Sequence, residues 1–247
     1  MGRRAMHARA ALATALVAGR TSIPVLRSAP PLTLRQTGPH SVHLISTAAG
    51  PLGGDRLELD LDVAPGATLE LGSVASTLVL PGPGESRTLI TARVGAGATL
   101  RFTPEPTVLA AGCAHRIEVG LTLASDARVL WREEIVFGRY GEQPGRCHAR
   151  FDATLDGRPL LRQEFTVGAP ALDTSPAVYG DARCVGTTLI AGPVPLAEAV
   201  VADGVAVLPL AGPATLVSAL ALDAVALRTR LEWGESTASR GRPAGPV

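Results

Sequence analysis

A chain of 247 residues that is 46% apolar and 18% charged has enough hydrophobic material to bury a core, which excludes a disordered protein. A net charge of +1 gives no electrostatic footprint for nucleic acid or an anionic membrane, and with aromatics at 3% the core must come from Leu, Val and Ala. There is no lysine, so neither a Walker A loop nor Schiff-base chemistry can be built.

The N-terminal stretch MGRRAMHARAALATALVAGRTSI is basic and then apolar, as a secretory leader is. Its apolar run is short and Ala-rich, Arg20 follows at once, and no small-x-small cleavage site precedes a mature start. A first strand with a basic lead is expected, in a cytoplasmic protein. No run approaches the ~20 apolar residues of a membrane span, so no membrane partner is expected.

Residues 48–63, AAGPLGGDRLELDLDV, place three glycines and a proline before a strand of strict alternation. Leu57, Leu59, Leu61 and Val63 share one face, and Glu58, Asp60 and Asp62 the other, the pattern of a half-buried strand with a solvated side. Gly53 and Gly54 permit a tight turn that presents Asp55 at the junction.

The middle of the chain repeats. DVAPGATLEL (62–71) and RVGAGATLRF (93–102) align without a gap, followed by TLASDARVLW (122–131) and DATLDGRPLL (152–161). Their turn residues Gly66, Gly97, Asp126 and Gly157 fall at intervals of 31, 29 and 31. Each copy reads as strand, tight turn, strand, so one hairpin per copy is expected. A period of about 30 residues predicts stacked β-layers over about residues 20–170, with a sandwich of similar hairpins as the alternative.

WREEIVFGRYGE (131–142) sets Glu133 and Glu134 on opposite sides of a strand. Glu133 shares its face with Ile135 and Phe137, so its carboxylate needs either an arginine partner (Arg132 or Arg139) or a wet cavity. Beyond residue 170 the pattern loosens. TTLIAG and VAVLPLAG read as short buried strands, and Ala, Leu and Val at helical spacing predict a helix over about 213–231. A single domain over 1–235 and a disordered tail over 236–247 are expected.

Motifs of hydrolytic and cofactor chemistry are missing: there is no GxSxG, no HExxH and no dinucleotide fingerprint. Cys113, Cys147 and Cys184 include no CxxC pair, which fits a reducing compartment. Cys113 with His115, Cys147 with His148, and His40 with His43 lack the spacing of a closed metal site and read as strand residues.

In order and spacing, His43-Leu44, then GPLGGDRLELDLDVAPGATLEL, GATLRFTPEPTVL, WREEIVFGRYGE and GRPLLRQEF resemble the urease accessory protein UreD family, called UreH in some lineages. The specific part is the pairing of Gly53-Gly54-Asp55 with Gly138-Arg139 and Glu142. The resemblance implies a mainly β fold, a stacked-layer or β-helix-like body with one or two C-terminal helices. It also implies a non-catalytic scaffold that binds urease apoprotein on one side and UreF on the other, with the GTPase UreG reached through UreF. No cofactor would be tightly bound: GTP stays on the partner GTPase, and Ni²⁺ is in transit through an internal passage. Asp55 and Glu133 match family positions along that passage, and Ser76 sits where many members have a small polar residue. Gln163 stands where the family often has an acid, with Glu164 beside it. Two readings from the residues alone stay open: a β-solenoid hydrolase using Asp55 and Glu133 as acid and base, and a structural interaction module with surface carboxylates.

Overall fold

Period-two alternation runs through most of the chain, and it folds into two sheets around a shared core. The computed structural model describes residues 4–192 and 198–240. The chain begins with β1 (His7–Val17), β2 (Arg20–Arg27), β3 (Leu32–Gln36) and β4 (Ser41–Ser46). The repeat region holds β5 (Arg56–Val63), β6 (Thr68–Ser73), β7 (Thr77–Val79), β8 (Ser86–Val94), β9 (Thr99–Thr103) and β10 (Thr107–Leu109). It continues through β11 (Ala114–Leu123), β12 (Arg128–Val136), β13 (Arg146–Leu155) and β14 (Arg158–Val167). After a four-residue helix α1 (Pro170–Asp173) come β15 (Cys184–Ala191), β16 (Val200–Ala202), β17 (Val205–Pro209), β18 (Ala214–Ala221) and helix α2 (Ala224–Arg240).

One sheet runs β14-β13-β11-β8-β5-β1-β2, and the other β16-β17-β18-β15-β12-β9-β6-β4-β3, with β10 bridging β12 and β7. The repeat is the rung of this architecture. In the first sheet Arg56 pairs with Arg87, an offset of 31, and Ser86 with His115, an offset of 29. In the second, Thr68 pairs with Thr99 and Thr99 with Arg128, at the same two offsets. The stacked β-layer body is therefore what the intervals predict.

The turns inside the copies differ from the expected hairpins. Strands β5 and β6 flank one turn yet lie in different sheets, as do β8 and β9, and β11 and β12. These are arches, and three of them share one geometry: Ala67, Ala98 and Ala127 each donate back three residues, to Ala64, Gly95 and Ala124. Those alanines are buried at 0–1% exposure and turn inward at the corner. The physical reason is that apolar faces on both sides of each turn enter the same core. Leu61 and Val63 before it and Leu69 and Leu71 after it all belong to one cluster, so backbone pairing goes to the next rung. The fourth copy is a true hairpin: Asp156 (φ +47°) and Gly157 (φ +74°) give consecutive left-handed residues, and β13 pairs antiparallel with β14. Three of the eight aromatics meet across the rungs, with Trp131 stacked on Phe102 at 3.9 Å and edge-on to Phe151 at 5.8 Å.

The helix expected over 213–231 is displaced. Residues 214–221 alternate buried and half-buried positions and form β18, next to β15. The helix starts after Asp223, whose carboxylate accepts the Ala226 N–H at 2.8 Å, and it runs to Arg240. It buries Leu227 and Leu231 against Val207, Val217 and Ala219. Residues 236–240 of the expected tail are thus helical, and 241–247 lie outside the described residues.

Candidate functional site

Sheet pairing is interrupted at one place along β12. Arg128–Trp131 pair with β9 and Ile135–Val136 with β10, so residues 132–134 face the link Pro104-Glu105-Pro106. Two prolines supply no N–H to continue the ladder there. The neighbouring link, Val74-Ala75-Ser76, likewise separates β6 from β7. Behind this window, between the sheets, lies a cavity of about 130 Å³. It reaches from Thr88 and His115 of the first sheet to Glu133, Thr187 and Glu105 of the second.

Glu133 is one of four acids along this cavity, with Glu58, Glu105 and Glu134. Protein surrounds its carboxyl and burial pushes its pKa up to about 7, while the side chain keeps contact with the cavity. Glu133 thus meets a cavity and neither of the two arginines, since Arg139 pairs with Glu142 and Arg132 with Glu235. Across the sheet from Glu133 stands Thr187, whose hydroxyl accepts the Gln163 amide at 3.5 Å. The fold therefore gathers Glu133 and Gln163 around one threonine.

His115, read from the sequence as a buried strand residue, is 2% exposed, with Nδ1 2.8 Å from the Ser86 hydroxyl and Nε2 3.3 Å from that of Thr88. Burial lowers its pKa to about 4. It lines both the inter-sheet cavity and an open depression at the end of the first sheet, where Glu85, Arg146 and His148 gather. Arg116 spans Glu85 and His148 there, at 3.1 Å from each.

Other expected site residues lie elsewhere. Asp55 is buried at 1% exposure and accepts the N–H groups of Met6 and Leu52, both at 2.9 Å, which fastens the start of β1 to the turn before β5. Its side chain does not line the cavity. Gly53 packs so closely on Gly82 that a Cβ would sit 2.4 Å from backbone carbon, and Gly54 holds φ at +86°. Ser76 is exposed in the link beside the window, where Ser73, Ala75 and Thr77 are the lining residues. Glu164 is exposed and pairs with Arg150 at 3.2 Å and His148 at 3.4 Å. Gly138, Arg139 and Glu142 close a loop: Glu142 accepts the Arg139 N–H at 3.1 Å, the Arg139 guanidinium and the Ala111 N–H, and Arg139 holds its pKa down to about 2.

On the far side of the window is an ionic cluster that spacing along the chain does not reveal. Arg228 of α2 donates to Glu134 at 2.7 Å and to both oxygens of Glu105 at 3.2 and 3.3 Å. Beside it, buried Arg132 grips Glu235 through two bonds of 2.8 and 2.7 Å, and Thr188 donates to the same carboxylate at 2.8 Å. No group of three or more His, Cys, Asp and Glu side chains is placed to hold a metal ion among the described residues.

Comparison with known proteins assigns this architecture. A family model described as "UreD urease accessory protein" matches residues 6–242. The chain belongs to the UreD family. Among curated relatives, the urease accessory protein UreD of Frankia casuarinae is 41% identical, covering 96% of this chain and 91% of its own. That of Parafrankia is 44% identical over 93% and 88%, and that of Streptomyces coelicolor 40% over 78% and 81%. The UreD match covers both sheets and α2, so the C-terminal third, including β15–β18, is part of the family body. No helix among the described residues is long and apolar enough to cross a membrane.

Proposed function

We propose that this chain is a non-catalytic scaffold of urease maturation in the cytoplasm. It bridges urease apoprotein and a UreF/UreG complex, and Ni²⁺ travels through its interior toward the urease active site. The observation that carries this reading is the inter-sheet cavity, in whose largely apolar lining the buried carboxyls of Glu133 and Glu134 stand with the Thr88 and Thr187 hydroxyls and the neutral His115 imidazole. A station with few oxygen ligands holds a divalent ion loosely enough for it to leave, unlike a cage of thiolates. GTP belongs to the partner GTPase, since this chain has no lysine for a phosphate-binding loop.

The hydrolase alternative needs Asp55 and Glu133 to act together. Of these two, Glu133 lines the cavity and Asp55 does not, and the Asp55 carboxylate is engaged by backbone N–H groups, so the geometry does not favour an acid–base pair. The test is complementation of a urease operon deleted for this gene. Deletion is expected to leave inactive, nickel-poor urease, the wild-type gene to restore it, and Glu133→Ala to restore far less nickel and activity at equal protein level. Full urease activity in the deletion strain would remove the role altogether. Full rescue by Glu133→Ala would leave only the structural interaction module.

A further inference from the structure

The cluster on the outer side of the window has a feature that ordinary surface ion pairs lack. Glu134 is 4% exposed; its Oε1 receives Arg228, but its Oε2 is buried with no hydrogen-bond partner. A buried carboxylate oxygen left unpaired is costly, and it marks a site with unused coordinating capacity. Glu134 lines the same cavity as Glu133 although the two point to opposite faces of β12. Both lie where β12 is left unpaired on its β9–β10 edge, at residues 132–134. Glu105, from the proline link that makes the interruption, completes the rim.

We infer that Glu105 and Glu134 form a cation station at the window and that the Arg228 guanidinium is its resident, tethered counter-ion, closing the cavity on the α2 side. The inference rests on the proposed passage and adds a specific exit and a gate to it. One guanidinium engages both carboxylates, so a divalent ion can take the station only when Arg228 leaves. Arg228 is carried by the second turn of α2, so a small outward movement of that part of the helix is enough to exchange one cation for another. Removal of the guanidinium leaves the Glu105 and Glu134 carboxylates without their shared partner, with Arg132 Nη1 at 3.9 Å from Glu134 as the remaining neighbouring cation, and a divalent ion can then bridge the two through the oxygen that already lacks a hydrogen bond.

The experiment uses the untagged full chain and Ni²⁺ as the probe, read by isothermal titration and by thermal melting. Arg228→Ala is expected to bind Ni²⁺ roughly tenfold or more tighter than wild type. Ni²⁺ should also raise the Tm of Arg228→Ala without moving that of wild type, and Glu134→Gln added to Arg228→Ala should abolish both gains. Equal binding by wild type and Arg228→Ala, or a gain that survives Glu134→Gln, overturns the inference. If Arg228→Ala does not fold, Arg228→Met, which keeps the apolar stem, takes its place in the same comparison. If neither variant folds in metal-free buffer, rescue by Ni²⁺ supports the station and failure to rescue rejects it. Failure of the passage is separate: a Glu133→Ala strain with fully active urease removes the passage whatever Arg228→Ala binds, and loss of activation without a Ni²⁺ gain removes only the gate.

Discussion

Glu133 carries an enclosed carboxyl group held near neutrality, and the sign of its contribution to stability follows from that. In the unfolded chain it ionises at the ordinary value near 4.5, and in the folded chain at about 7. Between those values the folded state binds the extra proton, so stability falls as pH rises through the window and the full cost is present above it. Glu133→Gln is therefore expected to stabilise the protein by about 1–3 kcal/mol at pH 8 and hardly at all at pH 4.5, measured by denaturant melts. An equal effect at both pH values would mean that the carboxyl is not enclosed. His115 works in the opposite direction: its folded value of about 4 lies below the ordinary 6.5, so stability drains away as pH falls from 6.5 toward 4. Asp55 is a different kind of residue. Asp55→Ala would leave the Met6 and Leu52 N–H groups without their acceptor and should cost about 2–5 kcal/mol. Loss of urease activation in Asp55→Ala is expected to come with lowered protein level, and restoration at low growth temperature would confirm that origin. If Asp55→Ala folds as stably as wild type and still fails, Asp55 belongs to the passage after all.

At the scale of elements, the rungs were legible because repeated residues sit at the offsets of 31 and 29 that the pairing uses. The arches were not legible. Strand, turn, strand reads alike for a hairpin and for a corner between sheets, and the deciding fact is whether the flanking apolar faces look into one core. The helix start was hidden for a related reason: VSALALDAVAL satisfies alternation in its first half and helical spacing in its second, and Asp223 marks the change. Helix α2 is fastened to β12 by the buried Arg132–Glu235 pair. Glu235→Ala removes both hydrogen-bonded contacts of a guanidinium that is 4% exposed and leaves it only the longer ion-pair contacts to Glu232 at 3.7 Å and Glu134 at 3.9 Å, so the expected loss is about 2–4 kcal/mol. Hydrogen exchange should then accelerate selectively over residues 224–240. Acceleration spread evenly over both sheets would show instead that α2 has no separate docking step.

At the scale of the molecule, sequence could nominate Glu133 because alternation alone places a carboxylate on an apolar face. It could not nominate Arg228 with Glu105, which meet across 123 residues, since spacing speaks only for residues of one element or one repeat. The same limit hid the partnership of Gln163 with Thr187, 24 residues apart and on different sheets. The cavity belongs to both sheets at once, and this sets up a test in which stability and function move apart. Ala149 of β13 is 7% exposed, lines the cavity, and stands between Ile117 and Phe165 in register. Ala149→Leu places three further carbons in a space of about 130 Å³. Filling a void in a core adds contacts, so stability should hold or rise by about 1 kcal/mol. An ion passage narrowed by the same group should deliver less metal, so urease matured with Ala149→Leu is expected to hold less nickel although the scaffold is as stable as before. Where a scaffold acts only by holding its partners, activation follows stability. Nickel content unchanged at unchanged or higher Tm would therefore show that the cavity between the sheets is not on the route.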